Sequence, residues 1–274
     1  MHVKGKFRCV GVSDTGRIRE HNEDTIGTDA DIGLVVLADG MGGYKAGEVA
    51  SGIAVRTVMT LLKEAVERED LTQRDAESGL SRSGILLRDA IHRANKIIYQ
   101  TAQTQPNCEG MGTTVVAGLF FDDRLTVAHV GDSRLYCARG GEFRQVTQDH
   151  SLLQELVARG LYTPEEAQRA AAKNYVTRAL GVEPTVDVEV TEVPVLKDDL
   201  FLLCSDGLSD MVEDEDIHLT ISTFGGSLES LARQLVLLSN DNGGRDNVSI
   251  VVVRVLDSFP ARRGFIDRIL ARFG

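Results

Sequence analysis

Hydrophobic positions along this chain change their spacing several times, and each change predicts an element. Runs of consecutive apolar residues, many of them β-branched, predict buried strands. The predicted strands cover residues 7–13, 34–38, 113–121, 125–130, 134–138, 143–146, 186–193, 200–204 and 248–255. The pairs Asp122-Asp123 and Gly140-Gly141 separate central strands. Turns that short predict antiparallel hairpins.

Apolar residues at helical spacing predict three further elements. These are helices over residues 47–68, 85–103 and 227–238, with a polar loop over 67–83. A polar, Ala-rich helical segment follows the central strands over 150–173, with Pro164 as a helix-start residue. Short strands combined with long helices predict an α+β fold, in which helices cover antiparallel sheets. The pattern shows no linker or internal repeat, so we expect a single domain.

Composition and charge narrow the class of protein. The chain has 274 residues, of which 42% are hydrophobic, and its formal net charge of −11 argues against binding nucleic acid or anionic membranes. Cys9, Cys108, Cys137 and Cys204 have neither CxxC nor zinc-finger spacing. The first six residues lack the apolar stretch of a signal peptide, and no uncharged run is long enough to cross a bilayer. We therefore expect a cytoplasmic, reduced protein.

Three aspartates stand beside predicted buried strands. Asp39 follows the strand 34–38, Asp206 follows 200–204, and Asp246 comes just before 248–255. Each one alone is compatible with a simple turn, because Asp-Gly often follows a strand. A carboxylate at the end of a buried strand costs free energy unless positive charge lies beside it. Hard divalent cations prefer oxygen ligands, so the three together predict a carboxylate metal site.

Eight short motifs accompany these aspartates. They are REHNED at 19–24, DGMGG at 39–43, GMGTT at 110–114, GDSR at 131–134, TQDHS at 147–151, TRALG at 177–181, SDGL at 205–208 and DNVS at 246–249. In this order, from residue 13 to about 255, they resemble the metal-dependent serine/threonine protein phosphatases of the PPM family (type 2C), bacterial branch. The resemblance implies a central antiparallel β-sandwich flanked by helix pairs, over residues 1–258. It also implies a flap at about 147–180.

The resemblance implies a two-metal centre at one edge of the sandwich. Asp39 would bridge both metals, and the Gly40 carbonyl would bind one of them. Asp206 and Asp246 would hold the other metal. Asp132 would hold a third ion together with Asp206. Manganese or magnesium is the implied cofactor.

The resemblance also assigns supporting roles around the metals. Glu23 and Asp24 would support the site through water, and Arg19 would bind the substrate phosphate, since a guanidinium makes two parallel bonds to phosphate oxygens. His150 and Arg178 would lie in the flap near substrate. A water activated by the metals would attack phosphoserine or phosphothreonine on proteins. The family link implies that the enzyme opposes a bacterial serine/threonine kinase and acts as a monomer.

The identity of the acid that protonates the leaving group is open. Animal members of the family carry a histidine where Met41 stands, and methionine has no proton to give. A metal-associated water, His21 and His150 are the alternatives. The tail 259–274 lies outside the resemblance, and its apolar residues share one helical face with arginines among them. It fits either a partner-binding helix or one that folds back on the domain.

Two other functions compete with an active protein phosphatase. A pseudophosphatase that binds phosphoproteins would be expected to lack a metal carboxylate, whereas Asp39, Asp206 and Asp246 are all in place. A hydrolase of small phosphate esters would share the same centre. A comparison of hydrolysis rates on phosphopeptides with those on free phosphoserine or nucleotides distinguishes a small-ester hydrolase from a protein phosphatase.

Overall fold

A computed structural model describes residues 3–43, 46–163, 166 and 175–260. The strands are β1 Phe7–Asp14, β2 Thr25–Asp29, β3 Leu34–Ala38, β4 Gly40–Met41, β5 Gly112–Thr113, β6 Val115–Phe121, β7 Arg124–Val130, β8 Arg134–Arg139, β9 Glu142–Gln145, β10 Glu189–Pro194, β11 Leu200–Cys204 and β12 Val248–Val255. The helices are α1 Ala46–Arg68, α2 Arg82–Thr104, α3 Leu152–Ala158, α4 Asp206–Ser209, α5 Asp214–Phe224 and α6 Leu228–Asp241, with a 3-10 turn at Pro106–Cys108.

Within these ranges, the strands form two five-stranded antiparallel sheets and a short ribbon. One sheet has the order β1-β12-β11-β8-β9, and the other has the order β10-β7-β6-β3-β2. β4 pairs with β5 as a two-stranded ribbon beyond the end of β3. Asp122 (φ 50°) and Asp123 (φ 53°) both adopt the left-handed conformation between β6 and β7, which is the backbone that a two-residue hairpin requires. The predicted hairpins are confirmed.

The continuous apolar runs arise because both faces of the central strands are covered. In β3, Val35 and Leu37 pack between the two sheets, whereas Leu34, Val36 and Ala38 pack under α1 and α2. A strand buried on both faces has no polar face to alternate with. The sequence of β3 therefore reads as an uninterrupted hydrophobic run.

The sheet that contains β11 is covered in the same way by the other helix pair. In β11, Phe201 and Leu203 face the sheet that contains β3, whereas Leu202 and Cys204 pack under α5 and α6. The rings of Phe120 and Phe201 join the two sheets edge to face, with centroids 5.5 Å apart. The molecule is thus a β-sandwich between two helix pairs, which confirms the expected α+β architecture.

The predicted elements differ from the observed ones where the pattern is weak. β2 was not predicted, because its residues are half-buried and mostly threonine, glycine and aspartate. α5 was missed because it buries only Ile217 and Ile221, which makes its apolar pattern weak. The predicted strand 186–193 begins only at Glu189. For the predicted helix over 150–173, the structure shows one helix, α3, among residues 150–163.

Two predictions fall on parts of the chain that the structure does not describe. Pro164 and the tail from residue 261 lie outside the described residues. Phe259 packs into the core between the sheets. The division of the chain into a domain that ends at residue 258 and a tail that begins at 259 stays a prediction. Cys9, Cys108, Cys137 and Cys204 are free thiols. Among the described helices, none combines the length and the apolar character needed to span a membrane.

Candidate metal centre

The three strand-end aspartates meet at one edge of the sandwich. Asp39 joins β3 to β4, and Asp206 opens α4 directly after β11. Asp246 precedes β12, and because β12 runs antiparallel to β11, the start of one strand lies beside the end of the other. Burial raises the pKa of Asp39 well above its ordinary value, and the negative charges of Asp24 and Asp206 raise it further. The fold therefore brings the predicted carboxylates together.

These carboxylates repel one another in a buried setting. Burial, followed by the charges of Asp132 and Asp246, also raises the pKa of Asp206. Burial raises the pKa of Asp24 to about 6. Burial, followed by the charge of Asp149, raises the pKa of Asp132 to about 6. A cluster of this kind is stable in its ionised form only when cations offset the charge.

Unsatisfied oxygens show where cations fit. Asp24 Oδ1 and Asp206 Oδ1 are buried and have no hydrogen-bond partner in the described part of the chain. Leaving such an atom unpaired is costly, so these oxygens are suited to metal ligation, either directly or through water. At Gly40, a Cβ atom would collide with the carbonyl oxygens of Gly47 and Glu23. The donor set and the crowded backbone fit divalent cations that prefer oxygen.

The GMGTT motif fixes the backbone of Asp39. The Asp39 amide donates to Thr114 Oγ1 at 3.1 Å. Its carbonyl accepts from the Thr114 amide at 2.8 Å and from Thr113 Oγ1 at 2.7 Å. With both peptide groups occupied, the carboxylate is held in place at the end of β3.

Asn247 fixes the loop that leads from β1 to β2. Its Nδ2 donates to the carbonyl oxygens of Thr15 and His21, each at 2.9 Å. Its Oδ1 accepts from the Glu23 amide at 2.8 Å. Asn247 directly follows Asp246, so one dipeptide supplies a candidate ligand and anchors the loop that carries Arg19.

Glu23 lies between this loop and the beginning of α1. Its Oε1 accepts from the Gly47 amide at 3.2 Å, and a carboxylate is favourable at a helix N-terminus. Burial raises the pKa of Glu23, while the Gly47 hydrogen bond and the charge of Arg19 oppose that rise. The Asp24 carboxylate accepts from Ser205 Oγ at 2.9 Å. Glu23 and Asp24 therefore line the centre from the loop that precedes β2.

Arg19 is the cation at the rim of the cluster. Its Nη2 donates to Asp246 Oδ2 at 2.6 Å, and this hydrogen bond is the main cause of its raised pKa. About half of its side chain is exposed, 52%. The guanidinium is therefore beside the carboxylates and accessible to an incoming phosphate.

Comparisons with known proteins agree on one family. A family model described as "Protein phosphatase 2C" matches residues 17–245. The chain belongs to the protein phosphatase 2C family. It is 38% identical over 244 residues to the serine/threonine phosphatase stp of Listeria welshimeri, covering 88% of this chain and 93% of that protein. It is therefore a serine/threonine protein phosphatase.

Solved structures of this family share the fold. The crystal structure of the Mycobacterium tuberculosis serine/threonine phosphatase PstP/Ppp has a TM-score of 0.81 and 37% identity, covering 91% of this chain and 99% of that one. The catalytic domain of PstP in complex with two manganese ions has a TM-score of 0.78 and 37% identity, covering 92% of this chain and 99% of that one. The expected β-sandwich phosphatase fold is confirmed.

His150 lies near the start of the segment predicted as a flap, at about 147–180. Its Nδ1 accepts from the Gly131 amide at 3.1 Å, which places the ring proton on Nε2, 3.4 Å from Glu189 Oε2. The ring stacks on His129, with centroids 4.7 Å apart. Burial, and then the neighbouring His129, lower the pKa of His150. Both ring nitrogens are therefore engaged within the protein.

Backbone hydrogen bonds join residues near the two ends of this predicted segment. The His150 amide donates to the Gly131 carbonyl at 3.0 Å, and the Thr177 amide donates to the His150 carbonyl at 2.8 Å. Gly131 precedes Asp132, so backbone hydrogen bonds join this segment to the loop of a candidate ligand. Arg178, within the predicted flap, pairs with Asp187 at 3.3 Å.

Asp210 is an acidic residue of the centre that sequence reasoning missed. Its charge raises the pKa of both Asp206 and Asp132. It follows Asp206 by four residues, and its amide donates to the Asp206 carbonyl at 2.8 Å. The i, i+4 spacing within a helical turn was the available signal.

Proposed function

We propose that this phosphatase hydrolyses phosphoserine and phosphothreonine on proteins at the carboxylate centre. Asp39 and the Gly40 carbonyl would hold one cation, and Asp39, Asp206 and Asp246 would hold the other. The observation that carries this proposal is the buried, mutually repelling carboxylate cluster with an unpaired Asp206 oxygen. The relative with two manganese ions supports manganese, or the similarly hard magnesium, as the cofactor.

When bound, divalent cations at this centre would lower the pKa of a water that serves as the nucleophile and would offset charge on the phosphoryl oxygens. The protein contributes positioning. Thr113 and Thr114 hold the Asp39 backbone still. A carboxylate already fixed in this way needs little reorganisation when substrate arrives.

Arg19 would bind the substrate phosphate. Its guanidinium reaches Asp246 at 2.6 Å, so it need only exchange this carboxylate for a phosphate oxygen nearby. A fork of two parallel N–H donors fixes the orientation of the phosphoryl group as well as its position. Arg19 therefore acts on substrate binding and on the alignment of the reacting bond.

Asp132, Glu23 and Asp24 would complete the centre. The pKa values of Asp132 and Asp24 are raised by burial to about 6, so both gain from a nearby cation. Asp132 with Asp206 would form a third, weaker cation site. Glu23, whose oxygen also binds the N-terminus of α1, would support the other two cations through water.

The proton for the leaving group would come from water at the centre. Met41 has no proton to donate, and the Nε2 proton of His150 is directed at Glu189 inside the protein. His21 is exposed, and its described contact is through its backbone carbonyl to Asn247. We expect His21→Ala to leave the pH dependence of kcat unchanged. A missing limb in that profile would identify His21 as the acid instead.

The biological setting is part of the same proposal. A serine/threonine kinase would supply the phosphoprotein substrates, since the enzyme acts on its products. A cytoplasmic location is supported by the four cysteines, which are all free thiols, as is typical of proteins in a reducing compartment. We propose that the chain acts as a monomer, which light scattering at working concentration tests directly.

Phosphate release from a phosphothreonine peptide tests the proposed activity. The protein is assayed with manganese, with manganese plus excess chelator, and on free phosphoserine and a nucleoside monophosphate. We expect release from the peptide that requires the metal and that exceeds release from the small esters in kcat/KM. Equal or faster hydrolysis of the small esters would favour a small-ester hydrolase. Folded protein without release under any metal would favour a phosphoprotein-binding regulator.

A further inference from the structure

Two exposed arginines flank Arg19 at the rim of the metal centre. They are Arg17, two residues before it on the same loop, and Arg245, next to its partner Asp246. We propose that Arg17 and Arg245 bind acidic side chains beside the phosphorylated residue, so that this enzyme prefers acidic phosphopeptides. The inference rests on the proposed phosphatase activity and names the substrate class of the same site.

Backbone contacts bring the two arginines to one place. The Arg17 amide donates to the Gly244 carbonyl at 2.7 Å. A Cβ added to Gly244 would lie only 2.7 Å from Arg17 Cγ. A Cβ on Gly16 would collide with the Asp246 carbonyl. The loop that carries Arg19 is therefore pressed against the segment that carries Arg245 and Asp246.

Neither arginine is neutralised by the protein. Over residues 3–43, 46–163, 166 and 175–260, neither Arg17 nor Arg245 makes an ion pair or a side-chain hydrogen bond. By contrast, Arg134 pairs with Asp149 at 2.8 Å. In a chain of net charge −11, unpaired arginines beside a phosphate-binding residue are local positive charge available to a ligand.

The arrangement selects a particular kind of ligand. Arg19 is assigned to the phosphate, which leaves Arg17 and Arg245 for anionic groups one or a few residues away on the substrate. Ile18, between Arg17 and Arg19, is 69% exposed and offers an apolar contact to the same peptide. The overall negative charge of the chain disfavours long polyanions. Isolated carboxylates of a peptide segment match two separate guanidinium groups.

The test compares phosphothreonine peptides that differ only in flanking residues. One peptide carries Asp and Glu around the phosphothreonine, one carries Ala and Gly, and one carries Lys. The enzymes are the wild type, Arg17→Ser, Arg245→Ser and the double variant, all with manganese. Arg233→Ser is the matched control. Arg233 is exposed on α6, and its replacement removes the same charge.

For the wild type we expect the acidic peptide to exceed the neutral one in kcat/KM, and the lysine peptide to fall below it. In each single variant, the ratio of kcat/KM on the acidic peptide to that on the neutral peptide should fall about two- to five-fold, since solvent-exposed ion pairs are weak. The double variant should approach a ratio of one, mainly through KM. Arg233→Ser should keep the wild-type ratio. Added salt should reduce the preference of the wild type more than that of the double variant.

The outcomes separate the two proposals. A wild-type ratio near one, or a ratio that the double variant retains, overturns the role of Arg17 and Arg245 while the phosphatase activity stands. An absence of metal-dependent release from all three peptides overturns the proposed function instead. Equal loss of the ratio in Arg233→Ser would show a general charge effect and would also overturn the inference. Unchanged activity of the double variant on the neutral peptide confirms that its centre is intact.

Discussion

At the scale of single residues, the centre is a set of negative charges whose mutual repulsion makes sense only with cations. The sequence predicted Asp39, Asp206 and Asp246 because each stands beside a strongly apolar strand. It did not predict Asp210, whose role depends on the turn of helix after Asp206. The pKa shifts follow from burial first and from neighbouring carboxylates second.

Replacement of Arg19 by lysine tests the phosphate-binding role. Lysine keeps the positive charge but loses the fork of donors, so we expect kcat/KM on the phosphothreonine peptide to fall about 10- to 100-fold. Arg8→Lys is the control, because Arg8 pairs with Glu229 on the surface at 2.9 Å. Steady-state kinetics with manganese measure both variants. Arg19→Lys within twofold of wild type would contradict the assignment.

The raised pKa of Asp132 predicts how stability depends on pH without metal. Burial moves this pKa from 3.8 to about 6, so the folded state binds more protons than the unfolded chain between these values. The metal-free protein should therefore lose stability as pH rises from about 4 through 6. Asp132→Asn removes that loss and should be more stable than wild type by about 1–3 kcal/mol at neutral pH.

Urea unfolding in chelator at about pH 4.5 and pH 7.5 measures this difference. The gain from Asp132→Asn should be small at the lower pH and largest at the higher one. Asp31→Asn is the control, because Asp31 is an exposed partner of Lys4 in the turn before β3, at the opposite end of that strand from Asp39. A gain that does not change with pH would contradict the repulsion account.

At the scale of elements, the apolar pattern predicted what is buried on both faces and missed what is not. β3, β11 and β12 have the predicted bounds, because helices cover one face and the opposite sheet covers the other. β2 is an edge strand that needs few apolar residues. The pattern also gave no sign that Asn247 joins β12 to the Arg19 loop, since a single asparagine has no periodicity.

Asn247→Ala tests this connection between elements. The change leaves the carbonyls of Thr15 and His21 and the amide of Glu23 without their partner. We expect the free energy of unfolding to fall by about 2–3 kcal/mol. We also expect kcat/KM to fall, because the loop that positions Arg19 is released. Asn242→Ala, which removes one hydrogen bond to the Met211 carbonyl at 2.8 Å, should do much less. Equal effects of both variants on kcat/KM would refute the proposed anchoring.

At the scale of the whole molecule, the sandwich places candidate metal ligands from both sheets at one edge. Asp39 comes from the end of β3 in one sheet, and Asp206 and Asp246 come from β11 and β12 in the other. The site therefore exists only when the two sheets are packed together. The sequence could predict this meeting only through the family resemblance, because strand pattern alone does not give the order of strands in a sheet. Cations that bind the centre must stabilise the whole fold.

Thermal unfolding with and without manganese tests that coupling. A ligand that binds only the folded state at 100 times its dissociation constant adds about 2.7 kcal/mol of stability. We expect manganese to raise the Tm of wild type and excess chelator to reverse the rise. In Asp206→Asn the rise should be much smaller, whereas in Asp31→Asn it should equal that of wild type. An equal rise in all three proteins would show that manganese binds elsewhere.

The most direct measurement is phosphate release from a phosphothreonine peptide by wild type and by Asp39→Asn, both verified as folded, at saturating manganese. Asp39 is the residue that would contact both cations. Asp39→Asn would weaken the hold on both cations and so lose several kcal/mol of transition-state stabilisation. That loss corresponds to a fall in kcat of at least about 100-fold. We predict that fall, together with no release by wild type in chelator. Activity of Asp39→Asn within tenfold of wild type, or release that persists in chelator, would contradict it.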